Sequence, residues 1–158
     1  MNAVESLLNL SIEDLTPKPK TYEIEIPRIS HRLKKKGIES GFFITIETVD
    51  ANKIFEYENA TIELTSKGVQ INRNEMYKQG LDVCCVAIKD PKYDDSQLLN
   101  FLGITMKHPT PEEVWKKLFL KSEIQSIGQI IIDFSKKNID EDEYIENLNR
   151  FREKVKNS

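Results

Sequence analysis

The sequence predicts an α+β fold, in which an N-terminal antiparallel sheet of about four strands is covered by a C-terminal set of four to five helices. Two observations support this prediction. Alternating apolar and polar residues are concentrated between residues 21 and 71. Apolar residues at helical spacing, bounded by capping signals, dominate from residue 74 onward. Strands followed by helices are typical of the α+β class.

Length and charge limit the domain organisation and the function. The 158 residues suit one domain at 21–137, preceded by an arm and linker at 1–20 and followed by a charged helix or tail at 138–158. Lys and Arg number 23 against 26 Asp and Glu, a net charge of −3, which gives no electrostatic reason to expect nucleic acid. The sequence shows no secretion signal and no apolar run of membrane-spanning length. We therefore expect a cytoplasmic protein without a nucleic acid or membrane partner.

The first twenty residues have the pattern of an arm on a stiff linker. Proline and lysine alternate at Pro17–Lys20, which favours an extended segment. Before it, Ser11–Asp14 has the spacing of a capping box. A short amphipathic stretch comes first, with apolar residues at Val4, Leu7, Leu8 and Leu10. The arm is either a frayed terminus or a partner-binding segment, and the two interpretations have similar weight.

Two strands are predicted in the next thirty residues. Thr21–Ile26 alternates apolar and polar residues and ends at Pro27, and Gly41–Thr48 is rich in aromatic and β-branched residues. Between them Ser30–Gly37 is predicted to be a basic loop. A lysine cluster could contact phosphate, but without an aromatic platform beside it a solvated loop is the better interpretation.

A short helix and a hairpin complete the first half. Asp50 is a candidate cap for a helix to Tyr57, with Ile54, Phe55 and Tyr57 as its apolar residues. Alternating runs at Thr61–Thr65 and Val69–Ile71 flank a turn that ends in glycine, which indicates a β-hairpin.

Four helices are predicted in the second half. A helix with Tyr77, Leu81 and Ile88 ends before Pro91, although its segment LDVCCVAI would also fit a buried strand. The next opens at Asp94–Ser96 and ends at a left-handed cap at Gly103.

The other two helices have the clearest N-terminal signals. Thr110, Pro111 and Glu113 form a capping box with proline at the first helical position. The last helix is predicted to begin at Ser122, with Ile124, Ile127, Ile131 and Phe134 along one face. The aromatic residues expected at the centre of the shared core are Phe101, Trp115, Phe119 and Phe134.

The C-terminal segment Asn138–Ser158 differs in composition. Acidic residues crowd its start and basic residues its end, which suits the dipole of a helix. Ile145, Leu148 and Phe151 form a narrow apolar seam. The seam packs either against its own domain or against a partner, and the first is slightly favoured.

No residue pattern indicates catalysis. His31 and His108 have no cysteine or acid at ligand spacing, so no metal site is predicted. Cys84 and Cys85 are adjacent within an apolar run, which disfavours a disulfide between them and predicts buried, unreactive thiols. Scattered glycines form no phosphate-binding loop. We therefore predict a protein that is not an enzyme and has no cofactor.

Several segments resemble one family in order and spacing. Lys117–Ile124 (KLFLKSEI) closely resembles the K-L-F-L-P-G-E-I signature of the XkdN-like tail assembly chaperones of long-tailed phages and phage-derived particles. Leu7–Leu10 with Tyr22–Ile29 resembles the family's arm and first strand, and Ala87–Pro91 resembles its D-P turn. The likeness extends over roughly residues 5–136 on a domain scale. Lys121 and Ser122 stand where the family tends to have Pro-Gly.

The resemblance implies a non-enzymatic role in the cytoplasm of the infected or prophage-bearing bacterial host. It implies binding to the tape measure protein, which would be kept soluble while the tail tube assembles around it. The tail tube protein and further copies of the chain are additional candidate partners. The alternative is a structural tail component, such as a tube or baseplate adaptor, that stays in the particle.

Three apolar patches are the candidate partner-binding surfaces, because each has apolar residues at helix-docking spacing. The first lies in the arm, the second on the last predicted helix and the third in the C-terminal segment. Their residues are Leu7, Leu8 and Leu10; Ile127 and Ile131; and Ile145, Leu148 and Phe151.

Overall fold

The computed structural model describes residues 1–15 and 17–141, except for the side chains of the last two. Within these ranges it has seven α-helices and two antiparallel sheets, which confirms the α+β class. The helices are α1 (Ala3–Leu7), α2 (Pro27–Lys35), α3 (Ala51–Thr61), α4 (Arg73–Ala87), α5 (Ser96–Leu102), α6 (Pro111–Leu118) and α7 (Lys121–Glu141), with a 3-10 turn at Glu13–Leu15. The strands are β1 (Thr21–Glu25), β2 (Phe43–Glu47), β3 (Ile62–Thr65), β4 (Gly68–Ile71) and β5 (Ile88–Asp90).

The arrangement of the strands differs from the predicted single N-terminal sheet. The main sheet has three strands in the order β1-β2-β5, and β5 follows α4 in the second half of the chain. The predicted hairpin exists as β3 and β4, but it forms a separate two-stranded sheet. A three-residue strand is too short to show a period of two, so the sequence pattern could not indicate β5.

The main sheet buries one apolar face. Ile24 lies opposite Ile44 and Tyr22 lies opposite Ile46 in the antiparallel register of β1 and β2. Ile44 and Ile46 are fully buried, because α4 and α7 contribute to the same core as the sheet. The Tyr22 ring of β1 also stacks on the Phe134 ring of α7, with 4.3 Å between the ring centroids.

The segment predicted to be a basic loop is largely helical. Pro27 occupies the first turn of α2, where its missing N–H costs nothing. Ile29 and Leu33, one turn apart, are half-buried, whereas the basic residues face solvent. These two apolar positions are the only helical signal in the segment. Because basic residues surround them, the sequence pattern indicated a loop.

An ion pair ties α2 to the last helix. The Arg28 guanidinium lies 2.9 Å from the Glu123 carboxylate and also donates to the Leu118 carbonyl at 2.9 Å. The Leu120 N–H donates to Glu123 at 2.8 Å. Partial burial acts to raise the pKa of Glu123, but these two donors together hold the pKa below its usual value. The helix therefore begins at Lys121, one residue before the predicted start.

The predicted N-caps of three other helices are confirmed, but the capping box at Thr110 is only half formed, because Glu113 Oε2 is buried without a hydrogen-bond partner among the described residues. Asp50, Asp95 and Thr110 each accept a hydrogen bond from a backbone N–H in the first turn of α3, α5 and α6. Gly103 adopts the left-handed conformation with φ of 70°. The segment that also fitted a strand is helical through Ala87, which confirms the helical interpretation of α4, but Ile88, predicted to lie in the same helix, begins β5.

The aromatic core is only partly as predicted. Trp115 and Phe119 are 1% and 4% exposed and stack 5.8 Å apart. Phe101 is 79% exposed, so its placement at the core was wrong. Leu98 and Leu102, one turn apart on α5, take the inward side, and Phe101 is left on the outward side. Phe55 in α3 is likewise 69% exposed.

Two glycines allow α4 and α7 to cross at close range. A Cβ built on Gly128 would lie 2.5 Å from the Gly80 Cα, and a Cβ on Gly80 would lie 3.0 Å from the Ile124 carbonyl oxygen. Such distances are below van der Waals contact, so neither position accepts a side chain without movement of the backbone. The crossing places Cys84, which is fully buried, beside the Ile124 carbonyl.

Substitution of Gly128 by alanine tests this crossing. We expect Gly128→Ala to lower the free energy of unfolding by about 1–3 kcal/mol, because the added methyl group forces the helices apart. Urea denaturation followed by circular dichroism measures the change. Ser126→Ala, at an exposed position of the same helix, is the matched control and should change stability by less than about 0.5 kcal/mol. Equal stability of both variants would show that the crossing is not tightly packed.

Candidate functional site

The arm presents its apolar residues to solvent. Leu7, Leu8 and Leu10 are 54%, 79% and 49% exposed, and Val4 on the same side of α1 is 65% exposed. Asn2 and Glu5 form a reciprocal capping box at the start of the helix. We call Val4, Leu7, Leu8 and Leu10 the arm stripe.

The root of the arm is fixed to the body by the linker. The Lys18 carbonyl accepts a hydrogen bond from the Asn138 side chain at 3.1 Å, and the Lys20 N–H donates to Thr48 Oγ1 at 2.9 Å. Asn138 and Thr48 are both buried. A cavity of about 510 Å³ lies beside these bonds, and its walls include Leu15, Pro17, Pro19, Val49 and Ile139. The linker therefore sets where the arm leaves the domain.

The second predicted patch is not on the surface. Ile127 and Ile131 are 2% and 0% exposed and belong to the chain's own core. As placed in this structure, neither side chain is available to a partner. Apolar residues at helical spacing indicate a helix face that is buried by other residues. The spacing does not show whether those residues belong to the same chain or to a partner.

The third predicted patch lies outside the described residues. Ile145, Leu148 and Phe151 all follow position 141, so this seam stays a prediction.

The hairpin presents an apolar face that sequence reasoning did not select. Ile62 lies opposite Ile71, and Leu64 lies opposite Val69, so all four side chains share one face. They are 45%, 65%, 86% and 67% exposed in that order. We call these four residues the hairpin face. The alternation that predicted the hairpin also marked this face, but we expected helices to cover it.

The basic groups near the hairpin face have no acidic partner in the part of the chain that the structure describes. Lys67 lies in the turn and Arg73 begins α4. Neither forms an ion pair with a described residue. The one acid in the hairpin, Glu63, alternates onto the opposite face and accepts from the Asn72 side chain at 2.7 Å.

Two lysines in the cleft between α4 and α6 form contacts within the chain. Lys116 lies 3.0 Å from Glu112, and Lys121 sits 5.0 Å from the centre of the Tyr77 ring. Both of these lysine charges are therefore engaged in contacts within the chain, one with a carboxylate and one with an aromatic ring.

The cysteines lie where their thiols are poor nucleophiles. Both are free thiols; Cys84 is buried and Cys85 is partly buried. Burial raises the pKa of Cys85 to about 11 and raises the pKa of Cys84 further. Both thiols are therefore protonated near neutral pH.

A part-buried polar network connects two helices through side chains. Tyr57 donates to the Gln129 side chain at 2.9 Å, and Gln129 donates to Asp133 at 2.9 Å. Burial, together with the nearby Asp133 carboxylate, raises the pKa of Tyr57 to about 12, so the hydroxyl stays a donor. This network joins α3 to α7.

The described residues offer neither a metal site nor a membrane-spanning helix. No group of three or more histidine, cysteine or acidic side chains among residues 1–15 and 17–139 is placed to hold a metal ion. Of the helices described, none is both long and apolar enough to cross a membrane. The arm stripe and the hairpin face are the candidate functional surfaces among the described residues.

Adjacent exposed apolar side chains, as in the arm stripe and the hairpin face, are typical of proteins that bind other proteins. A sequence model of the phage XkdN-like tail assembly chaperone protein family matches residues 6–149. The match includes the arm stripe from Leu7 onward, the hairpin face and all of the helical core. The chain belongs to this family, which confirms the resemblance and makes it a phage tail assembly chaperone in its general role. No curated protein and no solved structure matches the chain.

The raised thiol pKa values give a testable expectation. With a pKa near 11, Cys85 should carry about 100-fold less thiolate at pH 7 than a cysteine of ordinary pKa, because thiolate falls tenfold for each pH unit below the pKa. We expect slow reaction of the folded chain with a chromogenic disulfide reagent at pH 7, faster reaction as the pH rises toward 11, and two fast equivalents in urea. One fast equivalent from the folded chain at pH 7 would contradict this assignment.

Proposed function

We propose that this chaperone binds the tape measure protein of its phage or phage-derived particle, keeps it soluble and assists assembly of the tail tube in the host bacterial cytoplasm. Membership of the tail assembly chaperone family across residues 6–149 is the observation that supports this proposal. The tail tube protein is a further candidate partner at the same stage of assembly.

The arm stripe is the proposed contact for the tape measure protein. A tape measure protein is a long helical chain whose apolar stripes aggregate when uncovered. The arm stripe offers leucines three and four residues from Val4 along one helix face, which is the spacing that docks on another apolar helix stripe. Residues 1–15 contain no lysine or arginine, so the arm favours client segments that are neutral or basic beside their stripe.

Weak binding of the tape measure protein by each arm is compatible with the role of a chaperone. Four partly exposed aliphatic side chains form a small contact, well below the area of a stable binary interface. Many copies along one client chain would together cover a long stripe, because each added contact is favoured by a high local concentration. A chaperone also has to leave when the tube forms, which small contacts permit.

Charge substitution in the arm stripe tests the client contact. The full chain is co-expressed with an affinity-tagged fragment of the tape measure protein, and both the soluble fraction and the captured amount are measured. We expect Leu7→Asp with Leu8→Asp to lower capture at least about tenfold, because two buried leucines at a contact contribute at least about 1.4 kcal/mol. Phe55→Asp with Phe101→Asp, which places the same two charges on exposed residues of α3 and α5, should leave capture unchanged.

Two results would overturn the proposal. If the wild-type chain neither captures the fragment nor keeps it soluble, the chain does not bind the tape measure protein. If mass spectrometry finds the chain in purified mature particles at fixed copy number, it is a retained tail component, whereas a chaperone should be missing from them. If the arm variant still captures the fragment, the contact with the tape measure protein lies elsewhere on the chain.

A further inference from the structure

We propose that the C-terminal segment at 142–158 docks in the cavity at the root of the arm, where Ile145 and Leu148 insert and hold the linker against the domain. This is the cavity of about 510 Å³ beside Asn138 and Thr48. The proposal concerns the chain alone, so it does not rest on binding of the tape measure protein.

The cavity is apolar and large. Protein interiors leave few voids bigger than a water molecule, which takes up about 30 Å³ in the liquid. An apolar cavity of this size is typical of a site that an apolar group occupies. Its apolar walls come from three separate elements, namely Leu15, Pro17 and Pro19 of the linker, Val49 and Ala51 at the start of α3, and Ile139 of α7.

The C-terminal segment begins at the edge of this cavity. Ile139 lines the cavity, and Ile145 and Leu148 follow six and nine residues later. Six residues span at most roughly 20 Å when fully extended. A segment tethered this closely has a far higher local concentration at the cavity than a free partner has. The segment of the same chain is therefore the occupant that the geometry favours.

The seam of this segment matches the cavity in chemistry. Ile145, Leu148 and Phe151 recur at intervals of three residues, and the residues between them are polar or charged. A segment with one narrow apolar side is stabilised when another apolar surface covers that side. The cavity provides such a surface within reach of the first two seam residues.

Opposite charges favour passage of the segment beside the linker. The Asn138 side chain donates to the Lys18 carbonyl at 3.1 Å, and a run of four acidic residues begins at position 140. The linker itself carries Lys18 and Lys20. Asp50, the acid that lines the cavity, caps α3 by accepting from the Lys53 N–H at 2.8 Å. Attraction between the acidic run and the linker lysines directs the segment toward the cavity.

Docking would connect the two ends of the chain. The side chains of Asn138 and Thr48 already bond to the backbone of Lys18 and Lys20. Insertion of the seam would add an apolar contact to these two hydrogen bonds, because the linker forms one wall of the cavity. The C-terminal segment would then anchor the arm and would not be a separate surface for partners.

Thiol labelling measures whether the segment covers the cavity. Ala51→Cys places a thiol in the cavity wall, at an exposed position in the first turn of α3, where the helix N-terminus favours the reactive thiolate. The seam variant adds Ile145→Asp and Leu148→Asp to this chain. The control variant adds Asn147→Asp and Asn149→Asp, which place the same two charges in the same segment beside the seam. Each full-length chain reacts with a chromogenic disulfide reagent at pH 7.

We expect the seam variant to react at least about tenfold faster than the chain with Ala51→Cys alone, because a lost contact of about 1.4 kcal/mol exposes the thiol. The control variant should react at the rate of the chain with Ala51→Cys alone. Cys84 and Cys85, buried and partly buried, verify the fold in the same experiment, since their thiols stay slow as long as the core is folded.

Disulfide formation locates the segment independently. Ala51→Cys with Leu148→Cys should form a disulfide within the chain under mild oxidation, with loss of two thiols and no change from 18.3 kDa on a non-reducing gel. Phe101→Cys with Leu148→Cys, which places the first thiol on an exposed residue of α5, should stay reduced.

The proposal fails on any of three results. Equal labelling rates for all three chains would show that the segment does not cover the cavity. Faster labelling of the seam and control variants alike would show that the seam is not the contact. A disulfide that joins two chains would show that the segment of a second copy is the occupant. Because no tape measure protein is present, each of these results leaves the proposed function unchanged.

Discussion

The close approach of α4 and α7 at Gly80 and Gly128 is the contact on which the rest of the structure depends. It lets the backbones meet without intervening side chains and brings the isoleucine side of α7 against α4, α3 and the main sheet. Tyr57 and Gln129 then join α3 to the same helix. With α7 enclosed on these sides, its apolar stripe packs in the core of the chain.

The surfaces left for partners therefore lie at the periphery. The arm is tethered near the C-terminal part of α7 and the hairpin projects near its N-terminal part. Both are apolar and neither is needed to complete the core. A protein whose adhesive surfaces are attached to a core, but not part of it, can change partners without unfolding.

The chemistry of the described residues agrees with a role in protein binding. Burial, complete at Cys84 and partial at Cys85, holds both thiols protonated, and the buried tyrosine donates a hydrogen bond that joins two helices. The ion pair of Arg28 with Glu123 attaches the basic helix α2 to the start of α7. In each case the polar group positions an element of the fold. These contacts hold the domain rigid, so that the exposed apolar surfaces are presented from a fixed core.

Local signals in the sequence determined most of the elements. Caps at Asp50, Asp95 and Thr110, the glycine ends of the hairpin turn and of α5, and the linker of alternating proline and lysine are set by interactions within a few residues. The order of these signals also determined the family. Tertiary structure alone decided what covers each apolar face. It put Ile127 and Ile131 in the core, left Phe101 and the hairpin face exposed, and paired β5 with a strand more than forty positions earlier. A pattern of apolar residues states that a face is apolar, but its cover depends on residues far away in the chain, and only packing brings those together.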